Sequence, residues 1–436
     1  MDIKESLLLK VILPCAEKLQ GTCAVKWYNQ IEKMQSWTRE EITAWQDCQL
    51  QSLVRHVYDH TVYYHRLFDE LNIRPENIRT ISDLDKLPVI DKQIANDHFN
   101  EIVPDNLKTF RYRKGKTGGT TGEPMYYYCD ENVWGYVTAN KIFNWRKYGY
   151  RYGDRFAVLG SSSLFSTKPS LKRRIYDMIR REYGMNSVNM TDEKCASYVK
   201  ILKRKHIHYI NGYAASLFVF AQYVSREGID LRQIKVVFST SENLTDEYRA
   251  FTEKTFDCKV VDCYGARDAG ISAYEAAIHN YQIGYNVMAE IIDSIAPGTG
   301  TVLSTNLLNY TFPLLRYRYG DVAELETNPQ KYNGQQFNRI LGRTSDVLRL
   351  DNGNSLSATG FSMIMKNFDI EAFEFHKVDG DNVVLKIKTK DNYDDAQETR
   401  IINTIQGYLG QGCSLHLEKV DHFDVLPNGK RRYYFI

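Results

Sequence analysis

Along the first hundred residues, large apolar side chains recur at irregular helical intervals, at Trp27, Ile31, Trp37, Trp45, Leu50, Leu53 and Val57. That spacing predicts helices, and Thr38 followed by Glu40 and Glu41 marks an N-cap with an acidic first turn. From 131 to about 240 short apolar runs alternate with amphipathic stretches. Phe156–Gly160 and Val236–Ser239 read as buried strands, Cys195–Lys205 and Ala214–Arg226 as helices, and the alternation predicts an α/β sheet. Met288–Asp293, a turn at Pro297–Gly300 and Thr301–Thr305 predict a hairpin, and a further strand runs from Leu315 to Asp321. Past 346 the texture changes to a strand pair about Gly380 and Asp381, a helix from Asp394 to Leu409 and a strand from Ser414 to Val420. A domain edge near 346 is therefore expected.

A chain of 436 residues, 43% hydrophobic and 25% charged, suits one large domain and a smaller one. The net charge of +2 argues against a nucleic-acid binder. Its 31 tyrosines serve packing first and pocket walls second. Eight cysteines lie scattered without a C-x-x-C pair, as expected of reduced thiols in a cytoplasmic enzyme. Lys10 and Pro14 interrupt the apolar run Leu7–Ala16, which fits a signal peptide or a spanning helix badly. A packed helix is expected there, with peripheral attachment at the inner membrane face as the alternative. Two of the histidines His56, His60 and His65 are four apart, but no third metal ligand stands beside them. Basic clusters at Lys172, Arg173 and Arg174, at Arg180 and Arg181, and at Lys203 to Lys205 read as solvated helix faces. The functional alternative is a landing site for coenzyme A phosphates or an acidic polysaccharide.

The stretch with the most chemistry is Lys116 to Pro124, between aromatic runs that predict strands. Gly118, Gly119 and Gly122 let backbone amides approach a ligand, and Thr117, Thr120 and Thr121 add hydroxyls, so the loop can wrap a triphosphate. A plain hairpin turn is the other reading. No Lys-Ser or Lys-Thr follows the last glycine, so it is not a Walker loop.

Thr117 to Pro124 resembles the signature loop of adenylate-forming enzymes. Many members have lysine where this chain has Glu123, and Lys114 and Lys116 are near enough in sequence to replace it. Ile81 to Lys92 resembles the leading phrase of the phenylacetate–CoA ligase and CapK-type branch. Five further segments follow in the family's order. Ser239 to Leu244, with Ser241 and Glu242, matches a stretch lining the adenine pocket. Tyr264, Gly265 and Asp268 match Tyr-Gly-x-x-Glu, whose aromatic ring stacks on the purine and whose acid helps hold magnesium. Tyr317 to Asp321 resembles Tyr-Arg-x-Gly-Asp, with Asp321 accepting from the ribose hydroxyls. Gly342 to Asp346 matches Gly-Arg-x-x-Asp, with Arg343 on the nucleotide and Asp346 as hinge. Pro427 to Lys430 falls on the terminal segment that carries the catalytic lysine. His279 matches a histidine of some members, but Ala276 stands where a companion cysteine would help hold a structural metal, so no zinc is expected.

The resemblance implies a mixed α/β fold: a large ATP- and acid-binding domain over 1–345, whose first hundred residues are helical, and a small mobile C-terminal α+β lid over 346–436. It implies ATP and Mg2+ as cofactors, a small-molecule carboxylate as substrate, and Lys430 and Asp268 as catalytic residues. The acceptor is a thiol such as coenzyme A or, in a CapK-type amide-forming reaction that activates a carboxylate on an amino acid or uronic acid for surface-polysaccharide decoration, an amine, with a polysaccharide-linked acceptor included. A non-catalytic nucleotide-binding relative is a third reading. Tyr209, Asn211, Tyr213 and Ala214 are read as bordering the acid pocket, their mixture of aromatic and small side chains suiting an aryl or short acyl acid. Core packing is the equal alternative for these four. The sequence is silent on oligomeric state.

Overall fold

A computed structural model describes residues 11–12, 14–15, 17, 23–117, 125–160, 171–187, 190–343, 347–349, 355–357, 365, 368–378, 382–390, 392–409, 414–423 and 434–435. The chain forms two compact units, one from 1–290, 303–319 and 325–338, the other from 291–302, 320–324 and 339–436.

The first unit begins with helices α1 (Ala24–Met34), α2 (Arg39–His60) and α3 (Val62–Glu70). The cap read from Thr38 forms in full. Its hydroxyl accepts from Glu41 N at 3.2 Å while the Glu41 carboxylate accepts from Thr38 N at 2.7 Å, so two otherwise orphaned amides are satisfied. Trp27, Ile31 and Met34 share the buried face of α1 at helical spacing.

After a two-residue strand β1 (Ile90–Asp91), a hairpin of β2 (Tyr112–Lys116) and β3 (Tyr126–Asp130) leads into α4 (Glu131–Arg146). Gly115 has no substitute here, since a Cβ would run into the Tyr127 ring. The main sheet then builds from β4 (Phe156–Gly160), β5 (Glu182–Asn186), β6 (Tyr209–Tyr213), β7 (Val236–Thr240) and β8 (Lys259–Ala266). These five strands are parallel, in the order β5-β4-β6-β7-β8. Two antiparallel strands follow, β9 (Ile271–Ala277) and β10 (Asn280–Ile283), and Phe337 of the strand Gln336–Arg343 pairs with Tyr281. The helices α5 (Leu171–Arg180), α6 (Asp192–Arg204), α7 (Ala214–Arg226) and α8 (Asp246–Phe256) connect the parallel strands.

Alternation along the strands sends side chains to two separate cores, as the pleat requires. Ala157, Leu159, Ile210 and Val237 pack with Leu217 and Phe220 of α7, while Phe156, Val158, Tyr209 and Phe238 pack with Trp145 of α4. Trp145 stacks on Phe238 at 4.2 Å with the planes 7° apart. Both faces of β4 and β7 are thus buried, which is why their sequences read as continuous apolar runs.

The second unit contains β11 (Ile370–Lys377) and β12 (Asn382–Thr389), antiparallel, flanked by β13 (Ser414–Lys419) beside β12 and β14 (Tyr434–Phe435) beside β11. Helix α9 (Asp395–Leu409) covers this sheet through Ile401, Ile405 and Leu409, which meet Phe375, Leu385 and Ile387. The unit is α+β.

Among the element edges that differ from the pattern-based expectation, three have a local backbone or capping cause. Helix α6 begins at Asp192, because the Thr191 hydroxyl caps it by accepting from Lys194 N. The strand expected from Leu315 starts at Tyr317, since Arg316 has φ +53°, which no strand residue adopts. The strand expected from Thr301 starts at Thr299, directly after a Gly298 at φ +70° that makes the turn.

Candidate active site

The carboxyl ends of β6, β7 and β8 stand side by side, with Tyr213 opposite Thr240 and Thr240 opposite Cys263. In open parallel sheets this is the edge where ligands bind, because the strand ends and the following helix N-termini leave polar backbone exposed. Ser241 and Glu242 follow β7 directly. Ser241 takes φ +68°, turning the chain sharply. The Glu242 carboxylate then accepts from Ala215 N at 2.9 Å, in the first turn of α7, where a negative charge is favoured. Tyr264, at the end of β8, is half-buried, with its ring edge-on to Phe337 at 5.7 Å and its hydroxyl 3.3 Å from that of Tyr319.

Asp268 lies in the tight turn between β8 and β9. Gly270 closes that turn at φ +68°, and a Cβ there would overlap the Asn306 side chain. The Tyr317 hydroxyl donates to Oδ2 of Asp268 at 2.9 Å and stands 3.6 Å from the sulfur of Met125. Met125 in turn closes the neck of the glycine-threonine loop. Its amide donates to the Thr117 hydroxyl at 2.9 Å, and the Thr117 amide donates to its carbonyl at 2.9 Å. One buried tyrosine thus links the loop neck to the acidic turn. Tyr127 lies near the same carboxylate; burial first, then the charge of Asp268, pushes its hydroxyl well above the usual tyrosine range, so it stays protonated.

Two buried assemblies hold this geometry. Arg316 donates to Glu290 at 3.1 Å and to the Leu87 carbonyl at 2.6 Å, and its amide donates to the Thr305 hydroxyl at 3.0 Å. It therefore fixes the segment Ile81 to Lys92 against the start of the Tyr317 strand, where Ile90 also pairs with Tyr317. Burial raises the Glu290 carboxyl above its ordinary value, and the Arg316 charge opposes the rise. Behind the turn, Arg249 meets both Glu275 oxygens at 2.7 and 2.9 Å, and Glu275 accepts from Asp262 N at 2.9 Å. Asp262 itself accepts from the Tyr281 hydroxyl at 2.8 Å, and its carboxyl is pushed up to about 6, chiefly by burial.

The remaining sequence-derived candidates fall in several places. Tyr209 is in the core beside Tyr150, and its hydroxyl donates to the Gly149 carbonyl at 2.8 Å. Asn211, Tyr213 and Ala214 are buried along β6 and into the first residue of α7. Gly265 is exposed beside Tyr264, in register with Ser272. In the second unit, Asp321 is half-buried and Arg343 ends its strand. Gly118, Gly119, Thr120, Thr121, Gly122, Asp346 and Lys430 lie outside the described residues. Of the histidines, His56 meets the Tyr310 carbonyl at 2.9 Å and His60 meets Asp105 at 2.9 Å, each committed to its own partner. His279 lies 3.3 Å from Asp246.

The sequence pattern assigns no role to Tyr317, Arg316, Asp262 or Glu275. The two former residues lay within a motif already singled out, where a tyrosine and an arginine among buried neighbours were a signal. The carboxylate oxygens of Asp268 are hard ligands of the kind magnesium takes, so the turn fits a magnesium-bound triphosphate in its chemistry.

No family profile matches the chain. Curated relatives do. Protein CapK of Staphylococcus aureus is 23% identical over 423 residues, covering 93% of this chain and 91% of that protein. A phenylacetate–coenzyme A ligase of Aromatoleum evansii is 24% identical over 420 residues, covering 89% and 92%. Among solved structures, 2-hydroxyisobutyryl-CoA ligase in the postadenylation state with an acyl-AMP superposes with a TM-score of 0.73 at 16% identity, covering 93% of this chain and 91% of that one. The last likeness is one of fold.

Proposed function

We infer from a chain that belongs to the adenylate-forming superfamily, on the branch of CapK and the phenylacetate–CoA ligases, that its reaction is the ATP-dependent, AMP-forming activation of a carboxylic acid. A carboxylate oxygen attacks the α-phosphorus of ATP, the bond to the β-phosphate oxygen breaks, and pyrophosphate leaves with the electron pair. A thiol such as coenzyme A then attacks the acyl carbon and AMP departs. Two anions must meet while charge grows on phosphorus oxygens, so the protein's part is positioning and charge stabilisation.

The observation that carries this reading is the Tyr317 hydroxyl, which holds Asp268 at 2.9 Å while contacting the residue that closes the loop neck. It supports a shared place for a triphosphate and its metal. Thr117, Thr120 and Thr121 with the amides of Gly118, Gly119 and Gly122 would hold the phosphates. Asp268 would hold magnesium, which when bound offsets phosphate charge. Ser241, Glu242, Tyr264 and Gly265 would border the adenine, Asp321 would accept from the ribose, and Arg343 would contact the nucleotide. Lys430 would supply the cation between carboxylate and α-phosphate, and rotation at Asp346 would withdraw it for the second step. Asn211, Tyr213 and Ala214 would border the acid, whereas the committed hydroxyl of Tyr209 favours a supporting place behind them.

A second reading, transfer to an amine, is favoured by the near full-length similarity to CapK. A polysaccharide-linked acceptor belongs to that reading. Free cysteines among the described residues and the use of ATP support a cytoplasmic setting, with peripheral attachment at the inner membrane face as its finer form. Among the described residues no helix is long and apolar enough to cross a membrane.

Pyrophosphate release from ATP over a panel of carboxylic, uronic and amino acids, with coenzyme A omitted and then added, tests the function. Acid-dependent release that rises with coenzyme A supports the thiol ligase; release indifferent to coenzyme A but raised by amines supports the amide former. No acid-dependent release across the panel counts against both.

A further inference from the structure

Helix α5 carries an exposed apolar face. Leu171, Ile175 and Met178, spaced i, i+4 and i+7, fall on one face, and they are 72%, 46% and 71% exposed. Its charged Arg180 turns inward instead, stacking over the Phe156 ring at 5.6 Å and pairing with Glu182 at 3.4 Å. A helix that points its apolar stripe at water and an arginine at the protein gains nothing in stability from the stripe. Such a face signals an interaction surface.

The charge around the stripe narrows the occupant. Between 171 and 181 there are five basic residues and one acidic one, and Arg174 and Arg181 are exposed beside the apolar side chains. Three protruding side chains cannot supply the roughly 800 Å² per partner of a stable protein interface. An anionic bilayer asks for less, because the headgroup region takes up the apolar side chains singly while the flanking arginines meet lipid phosphates.

We propose that α5 docks this protein on anionic membrane surfaces, inserting Leu171, Ile175 and Met178 at the headgroup boundary with Arg174 and Arg181 against the phosphates. The proposal deepens the peripheral attachment that accompanies the ligase reading. It rests on that reading only for location, since lipid binding needs no substrate and its failure leaves pyrophosphate release untouched.

The test is co-sedimentation of the full chain with vesicles of phosphatidylcholine alone and with about one-third phosphatidylglycerol. The wild type should sediment with the anionic vesicles, release at high salt, and ignore the neutral ones. Ile175→Ser with Met178→Ser should weaken binding at least about tenfold, as should Arg174→Glu with Arg181→Glu, both at unchanged circular dichroism. These side chains are exposed, so the variants fold. Absence of wild-type binding to anionic vesicles, or binding equal in the variants, would overturn the proposal. So would concentration-dependent self-association abolished by the same serines, which would assign the face to a second copy.

Discussion

Tyr317 donates its hydroxyl to Oδ2 of Asp268 across 2.9 Å, from a position 49 residues further along the chain. Beside a carboxylate that would carry a metal, a fixed donor limits rotation.

Tyr317→Phe therefore removes one hydrogen bond to a charged group and little else. Pyrophosphate release should fall about 10- to 100-fold, as expected from roughly 1.5–3 kcal/mol, and the magnesium concentration for half-maximal rate should rise. A magnesium titration of both proteins checks this. An unaltered profile would mean that the hydroxyl serves packing alone.

Arg316 is a buried staple for the segment that ends in β1 (Ile90–Asp91). Arg316→Met strands the Glu290 carboxylate and should destabilise the first unit by about 3–5 kcal/mol, whereas adding Glu290→Leu should recover much of the loss. Urea unfolding of the single and double variants measures both.

Asp262 makes stability depend on pH. Its carboxyl titrates at about 6 in the folded chain against an ordinary 3.8, so between these values the folded state holds a proton that the unfolded chain has released. Stability from this group is full below the lower value and is lost as pH rises to about 6, by roughly 3 kcal/mol at about 1.4 kcal/mol per unit. Asp262→Asn should flatten the melting temperature across that window relative to wild type; an identical slope in both proteins would assign the effect elsewhere.

The two steps should separate genetically. Lys430→Ala should cut pyrophosphate release by about two to three orders of magnitude with the melting temperature unchanged, by analogy with loss of an oxyanion donor. Asp346→Pro should spare that release and impair acyl transfer. Equal loss of both steps in Asp346→Pro would remove the two-conformation scheme.

Local pattern carried most of the fold. Phe156–Gly160 and Ala214–Arg226 match observed elements residue for residue, because an apolar run between breakers and an amphipathic stretch each have one stable use. The pattern starts helix α6 three residues late, because a single threonine cap carries less signal than the apolar face behind it. The pattern starts the Tyr317 strand two residues early, because positive φ at an arginine has no sequence mark. The site was legible as separate motifs, not as an arrangement. Tyr317 contacts Met125 across 192 residues and Asp268 across 49, and separations of that kind are set by sheet order. The Asp262, Glu275 and Arg249 assembly was illegible for the same reason: its charges look solvated until β8, β9 and α8 are packed.

Exchange of labelled pyrophosphate into ATP, with the acid identified by the panel and no acceptor present, tests adenylation most directly. Exchange should require both the acid and magnesium, and should fall by at least about two orders of magnitude in Asp268→Ala. Acid-independent exchange, cleavage of ATP to ADP and phosphate, or full activity in Asp268→Ala would contradict a reaction built on the loop neck, Tyr317 and Asp268.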